Sequence, residues 1–506
     1  MLKTFNYLMC AAVLAAGITG CTREIINEEG TTQVKEGAPT YATFNFVING
    51  AGTKATAMID DKKETEDVKD IRLIIFKTGA TTTCEVNEVY DSSTSGWESS
   101  KSKTVQLTSG AKRIFVIVNA EKQTGIKALL DGIKLGSTTL NQFYAMDYDL
   151  GGGQVGNINK LGELVDNSKG YVMSNAMGSN SAFILHGGIG MDESRKGKEA
   201  ENNFSIEIQR AVAKTAVFYE LESVLETTDQ VGKLKDLKYM VRNVNRSLHL
   251  FQKFASDAVD PKLATSIPRS PNYSWPTGAS TTTYDSLFFK NHEFIDIEKA
   301  KTPATRVYAT ENTSELPRNA TTTYAAIQAT FLPKKGMIIE SYKYNDLTNA
   351  FHSITTNASD ATTEADLYRL VNIGTSTGIT ANIFFTDKKS AYTAAYCIEN
   401  KTDKGFDLGK AEKELAWDGT KGYIVEYDKG KSYYRLNIGE GSGTDFVAGM
   451  KRNYVYMARI TSFAGIGAPK LEDLDKDPDK PIGQKTHVTA SISVTKWTVV
   501  STDNQL

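Results

Sequence analysis

Cysteine and histidine are scarce in this chain, and their scarcity closes off much chemistry. Four cysteines occur in 506 residues, Cys10, Cys21, Cys84 and Cys397, too few and too scattered for a disulfide framework or a thiolate metal site. The five histidines, His186, His249, His292, His352 and His487, form no HExxH pair and stand beside no nucleophile elbow. Each reads as a structural or surface residue. A net charge of −2 gives no electrostatic case for nucleic acid. Beyond the N-terminus no apolar run is long enough to cross a bilayer as a helix. Two patterns approach a ligand motif and fail. Gly50-Ala51-Gly52-Thr53-Lys54 lacks the adjacent Gly-Lys and the following helix of a phosphate loop. Asp473, Asp475, Asp477 and Asp479 alternate like a calcium loop without its turn glycine or closing glutamate; a solvated linker is the expected reading. No catalytic constellation, metal site or cofactor is expected.

What is present begins with a leader. Lys3 supplies a positive start, Tyr7 to Ile18 is nearly all apolar, and small residues end in Gly20. The run is too short for a permanent span. Ile18-Thr19-Gly20-Cys21 resembles the bacterial lipobox: an aliphatic residue, two small ones, then a cysteine. The resemblance implies a signal peptide over 1–20, removal before Cys21, and acyl chains on Cys21. Several chains on one residue make a stable anchor where one would be marginal. Thr22 after the cysteine favours passage to the outer membrane. Only Cys84 and Cys397 then remain as thiols; a disulfide between them and two buried free thiols both stay open.

The rest is ordinary globular material, 40% apolar and 23% charged, and strand signals dominate it. In Tyr41–Ile48, Ala42, Phe44, Phe46 and Ile48 share an apolar face, and Tyr41, Thr43, Asn45 and Val47 the other. Ile71 to Phe76 is a buried strand. Val105 to Leu107, Ser109-Gly110 and Ile114 to Val118 read as a hairpin. Further strands are expected at 204–208, 217–219, 237–241, 324–331, 379–385, 423–427, 433–436 and 454–460. Helix signals are few: Leu140, Phe143 and Tyr144 behind Ser137 and Thr138, and a capping pattern at Thr363 and Asp366 before Leu367, Leu370 and Val371. The expected fold is all-β with a few short helices, built as β-sandwiches.

The C-terminus carries a second one-faced strand. Val488, Ala490, Ile492 and Val494 alternate with Thr489, Ser491, Ser493 and Thr495; Trp497 and Val499 continue in shifted parity, which predicts a bulge near Lys496. The acidic stretch Leu471 to Pro481 reads as a flexible spacer before it. A strand needs ladder partners; if this one does not fold back, its partner is another molecule.

In order along the chain, these features resemble the Bacteroidales fimbrial stalk subunits, the minor (short-fimbria) fimbrillins of the type V pilin family. Val105-Gln106-Leu107-Thr108-Ser109-Gly110 running into Ile114-Phe115-Val116-Ile117-Val118-Asn119 resembles the first-domain hairpin. Gln209-Arg210-Ala211-Val212-Ala213-Lys214 resembles an Arg-Ala-x-x-Lys/Arg strand, and Arg452-Asn453-Tyr454-Val455-Tyr456 a second-domain one. Gln484-Lys485-Thr486-His487, then Val494-Thr495-Lys496-Trp497-Thr498, is the nearest match.

The resemblance implies two transthyretin-like β-sandwich domains, over 55–226 and 227–475. A propeptide over 21–54 would carry the lipid and a plug strand, and 476–506 a linker and donor strand. A trypsin-like protease would cut Lys54–Ala55, with Lys62 and Lys63 as alternatives. The strand bearing Ala42, Phe44, Phe46 and Ile48 would leave. The donor strand of a neighbouring copy, with Val488, Ala490, Ile492, Val494, Trp497 and Val499, would take its place. The partners implied are copies of the chain in a head-to-tail polymer, anchor and tip subunits, the protease, and the membrane only through the Cys21 lipid; no nucleic acid is implied. The family usually offers Arg at the cut, and here the first basic residue is Lys54. An uncut subunit would remain an anchor or accessory subunit. From another class, a surface glycan-binding lipoprotein shares the lipobox, sandwiches and aromatic residues.

Overall fold

The computed structural model describes residues 36–48, 68–79, 82–91, 102–150, 170–177, 181–196, 201–254, 268–271, 287–289, 293–301, 305–373, 382–440, 447–482 and 488–496, with Leu161, Leu164, Val165, Pro303 and Thr377 between them. Cys21, Lys54, Ala55, Lys62, Lys63, Trp497 and Val499 lie outside the described residues.

The first half is a sheet of eight strands: β1 (Pro39–Ile48), β2 (Asp70–Lys77), β3 (Cys84–Asp91), β4 (Ser102–Thr108), β5 (Gly110–Val118), β6 (Met173–Ser174), β7 (Ala182–Leu185) and β8 (Asn203–Arg210). Its order is β3-β2-β5-β6-β8-β1-β4, with β7 on β5. Ile71, Leu73, Ile74, Ile75 and Phe76 are all buried, so β2 reads as an apolar run, as a strand covered on both faces should. Ala42, Phe44 and Phe46 of β1 enter the same core, and the path folds into a sandwich around it.

The expected hairpin between β4 and β5 is not one. Only Ser109 separates them, yet β4 pairs with β1 while β5 pairs with β2. Gly110, at φ +111°, makes the corner, and a Cβ there would sit 3.2 Å from Glu36 Cγ. The sequence Ser-Gly here sends the chain to a different partner rather than back along the same one.

The second half uses β9 (Val212–Tyr219), β10 (Gly232–Arg242), β11 (Tyr324–Pro333), β12 (Lys431–Asn437), β13 (Tyr454–Phe463) and β14 (Val488–Lys496). One sheet runs from Glu298–Lys299 through β9 and β13 to β14; the other runs from Ile295–Asp296 through β10 and β11 to β12. β9 continues β8 after Ala211 alone but pairs in parallel with β13. Its Ala213 and Val217 enter the second core, while Val212, Ala216 and Phe218 enter the first. On β13, Val455 and Met457 face the first core, and Tyr456, Ala458 and Ile460 the second. Over Val212–Phe218 and Val455–Ala458 the β9–β13 layer is covered on both faces, which is why these segments are apolar at consecutive positions.

Five short helices are described: α1 (Thr124–Asp131), α2 (Leu140–Tyr144), α3 (Met191–Ser194), α4 (Lys388–Asn400) and α5 (Leu408–Leu415). The helical spacing at Leu140 is realised as α2, capped by Thr139 with Gln142. The capping pattern at Thr363 and Asp366 is not: Leu367–Leu370 is a strand between Phe384–Phe385 and Ile424–Tyr427. Ladder partners on both edges outweigh a weak cap. This strand, the hairpin Ile339–Asn345/Ala350–Thr356, α4 and α5 build a lobe with its own core, inserted between β11 and β12. The fold is thus mostly β, in sandwiches, with short helices.

Candidate functional site

β1 is an interior strand. It runs antiparallel to β4, with Ala42 opposite Val105 and Thr43 opposite Thr104, and parallel to β8, with Phe44 opposite Phe204 and Phe46 opposite Ile206. Ala42 and Phe44 are fully buried and Phe46 is 3% exposed. Phe44 stacks on Phe204 with centroids 6.0 Å apart. Ile48 ends the strand; its side chain is outside the described residues.

The opposite face of β1 is covered too, which its polarity had not suggested. The segment 186–196, including α3, crosses over it. At the start of the strand Tyr41 N donates to Ile189 O at 2.9 Å, and Thr40, on the Ala42 side, donates through Oγ1 to His186 O at 2.6 Å and accepts from Asn202 Nδ2 at 2.9 Å. Thr43 Oγ1 lies 2.9 Å from Thr104 Oγ1 and 3.1 Å from Ser194 Oγ. Asn45 Nδ2 donates to Asn203 Oδ1 at 2.6 Å. The slot around β1 is apolar on one side and lined by hydroxyls and amides on the other. Thr43 and Asn45, two residues apart, were the available signal.

The terminal strand folds back. β14 pairs antiparallel along β13, from Val488 opposite Phe463 to Lys496 opposite Tyr454. It is the last strand of its sheet. Val488 is buried; Ala490, Ile492 and Val494 are half-buried against the second core; Thr489, Ser491 and Ser493 are exposed. The expected bulge near Lys496 concerns Trp497 and Val499, which lie outside the described residues; within the described ladder the register shifts between Ile460 and Ser462 on β13.

The acidic stretch before it is no free spacer over its described part, 471–482. Asp475 sits between Arg242 (Nη2 at 3.2 Å) and Arg435 (Nη1 at 3.2 Å), and accepts from Tyr324 Oη at 2.9 Å. The Arg435 guanidinium lies 3.7 Å from the Tyr324 ring centroid, a cation–π contact. Burial pushes the Arg435 guanidinium below its ordinary value, against the pull of Asp475, and pushes the Tyr324 hydroxyl up. Ala320 N and Asn319 N donate to Pro478 O and Lys480 O, both at 3.0 Å, and Leu471 and Leu474 pack near Met240, Tyr324 and Ala326. The tail after Phe463 is a strap laid over the outer face of β11.

A second polar cluster joins the halves. Arg452, fully buried, has Nε 3.4 Å from Glu311 Oε2 and donates to the carbonyls of Leu250 and His249. Gln252 donates to Glu311 Oε1 at 2.5 Å, and His249 Nδ1 contacts Asp147. Burial pushes the His249 imidazole below its ordinary value even against Asp147. Burial raises Asp147, but His249 and Lys253 outweigh it and hold the carboxyl low. Cys84 and Cys397 are buried free thiols in different cores, pushed up by burial to about 11 and about 12. Among the described residues no group of three or more His, Cys, Asp or Glu could hold a metal ion, and no helix is long and apolar enough to cross a membrane.

The chain is mostly β, with a first strand enclosed in its sheet and an alternating terminal strand at a sheet edge. Residues 425–503, which span β12 to β14 and the strap, match the family model described as "Major fimbrial subunit protein type IV, Fimbrillin, C-terminal". The match covers the C-terminal segment alone and agrees with the resemblance of the sequence to the Bacteroidales fimbrillins. No curated protein matches the chain. Among solved structures, a fimbrillin from Porphyromonas gingivalis is similar at 15% identity over 91% of this chain and 98% of that one, with a TM-score of 0.42. The tip fimbrial protein of the same organism, with a C-terminal truncation, is similar at 12% identity over 90% and 99%, with a TM-score of 0.34. A fimbrial assembly protein from Parabacteroides distasonis is similar at 11% identity over 59% and 85%, with a TM-score of 0.26. These are distant likenesses.

Proposed function

We propose that this chain is a structural stalk subunit of a cell-surface fimbria, exported as a lipoprotein precursor anchored at Cys21 and polymerised by strand replacement. In this reading a trypsin-like protease cuts after Lys54. The piece carrying Cys21 and β1 leaves, and β14 of the next copy enters the vacated slot. The observation that carries it is the correspondence of two strands. β1 fills an interior slot with Ala42, Phe44 and Phe46 on one face and Thr43 and Asn45 on the other; β14 alternates in the same way and, among the described residues, ladders along one edge. An occupied slot keeps the precursor from sticking, since an open strand position is a template for association. A contact between unlike surfaces that does not close on itself builds a filament. The role is structural, with other subunits as partners.

The test is to nick the purified protein with trypsin and follow it on denaturing gels. SDS-resistant ladders whose subunits begin at Ala55 are expected, and deletion of 485–506 abolishes them. Ladders from the truncated protein would refute strand replacement. Lys54, where the family usually has Arg, favours one second reading: an uncut anchor or accessory subunit. Surface-released protein that still begins at Cys21 decides for it.

A further inference from the structure

We propose that β14 of a second copy enters the β1 slot in a single register, with Ala490 in the place of Ala42 and Ser491 in the place of Thr43. This rests on the strand-replacement reading above and names what the slot reads.

The first constraint is a chain of hydrogen bonds across the outer face of β1. Arg195 Nε donates to Thr104 Oγ1 at 2.9 Å, and Ser194 Oγ donates to Met191 O at 2.9 Å. Thr43 Oγ1 lies between, 2.9 Å from Thr104 Oγ1 and 3.1 Å from Ser194 Oγ. The proton of Ser194 is committed to Met191, so Thr43 must donate to Ser194. Its own proton is then used, so it must accept from Thr104. The position calls for a group that gives one hydrogen bond and takes one within the space of a hydroxyl, which Ser or Thr supplies and an aliphatic residue does not. An aliphatic residue would leave the Thr104 hydroxyl without its acceptor.

β14 meets this demand on one face only. Thr489, Ser491, Ser493 and Thr495 alternate with Val488, Ala490, Ile492 and Val494. On its own subunit Thr489, Ser491 and Ser493 point to solvent, so this row of hydroxyls has no structural task there. A slip of one residue would turn the aliphatic residues toward Thr104 and Ser194 and the hydroxyls into the core. The hydroxyl chain therefore sets which face of the incoming strand points inward.

The second constraint is size. Ala42 is fully buried, opposite Val105. A slip of two residues would set Val488 or Ile492 at that place, with branched side chains in a space filled by a methyl group. Ala490 is the one small residue on the apolar face of β14. With Ala490 over Ala42, Val488 falls at Thr40, where the hydroxyl bonded to His186 O and Asn202 Nδ2 is lost, Ser491 at Thr43, Ser493 at Asn45, and Ile492 and Val494 at Phe44 and Phe46. The last two are smaller than the rings they replace.

The test is cross-linking in the full chain. Thr43 N donates to Asn202 O, on the β8 side, so Thr43 and Thr104 form a non-hydrogen-bonded antiparallel pair. Such pairs bring Cα atoms to about 4.5 Å, within disulfide range. Thr104→Cys is combined in turn with Thr489→Cys, Ser491→Cys and Ser493→Cys. Each protein is nicked with trypsin, allowed to assemble, oxidised and run without reductant beside the parent. The expected result is intermolecular disulfides with Ser491→Cys, at least tenfold more than with the other two. Cross-linking chiefly through Thr489→Cys or Ser493→Cys, or through none of the three while polymers form, overturns the register and leaves strand replacement standing. A parent protein that forms no polymers overturns both.

A second measurement avoids new cysteines. A synthetic peptide of 484–506 is bound to the nicked full chain and its release followed. Ile492→Phe, placed over Phe44, should slow release about tenfold, and Ser491→Val should speed it by as much. Loss of binding with Ile492→Phe would mean that residue meets the Ala42 space, and would refute the register.

Discussion

Removing the Asp475 carboxylate should free the strap. Among the described residues Asp475 is the acid paired with two guanidinium groups, Arg242 and Arg435, whose side chains are 5% and 10% exposed, and it also accepts from Tyr324. Asp475→Ala leaves two cations close together over a tyrosine ring with nothing to balance them. Breaking a buried pair by deleting one partner costs about 3–5 kcal/mol. The partial exposure of all three groups puts the expected value near ~3 kcal/mol. Asp475→Asn keeps an acceptor for Tyr324 and loses the charge, so about half of that is expected. The cost falls first on the docking of 471–482, because β10, β11 and β12 keep their ladders without it. Hydrogen exchange of Ala320 N and Asn319 N, which donate to the strap, is the direct assay; ~3 kcal/mol corresponds to about a hundredfold faster exchange. Asp477→Ala is the control: its side chain is exposed, and a change within about 0.5 kcal/mol is expected. If Asp475→Ala exchanges no faster than Asp477→Ala, the strap is held by its backbone hydrogen bonds and apolar contacts, and the reasoning from charge is wrong.

Three further outcomes follow from the same geometry. Thr43→Val should lower the urea stability of the uncut protein by about 1–2 kcal/mol, through loss of the hydroxyl chain, while Thr43→Ser stays close to the parent. His249 and Asp147 both titrate below their ordinary values in the folded chain. A depressed group stabilises above its unfolded value and loses that as pH falls through its folded one, so stability should decline as pH drops below about 6.5. His249→Asn should flatten the upper part of that decline in a series of urea midpoints. Cys84 and Cys397, pushed up to about 11 and about 12 in separate cores, should stay unreactive to a thiol reagent at neutral pH until the chain unfolds, then both react.

The strands were legible where alternation or an apolar run is local. Ala42, Phe44 and Phe46 announce one face of β1, and Ile71 to Phe76 announces a strand covered on both sides. What was not legible depends on partners distant in sequence. Ser109-Gly110 looks like a hairpin turn, and only the pairing of β4 with β1 shows it to be a corner. Leu367 and Leu370 have helix spacing, but as strand residues they enter different cores, and the choice is made by Phe384–Phe385 and Ile424–Tyr427. The acidic stretch reads as solvated because its charge is local, while the cations that hold Asp475 come from β10 and β12. In the slot, the apolar half was visible and the polar half was not. A threonine on the solvent-like face of a strand gives no sign that Ser194 waits above it.

The single-residue joint at Ala211 has a mechanical consequence. β8, which borders the slot, becomes β9 after one residue, and β9 is laddered to β13, whose chain leads through the strap to β14. In a filament built as proposed, tension on the occupant of the slot passes along β8 into β9 as covalent backbone. It then crosses the β9–β13 ladder in shear, so that many hydrogen bonds resist together rather than one after another. At the far end the pull enters the strap, and Asp475 shares it with β10, β11 and β12. The subunit would then behave as a continuous tie between its two ends, with the inserted lobe of 334–430 hanging outside the line of force.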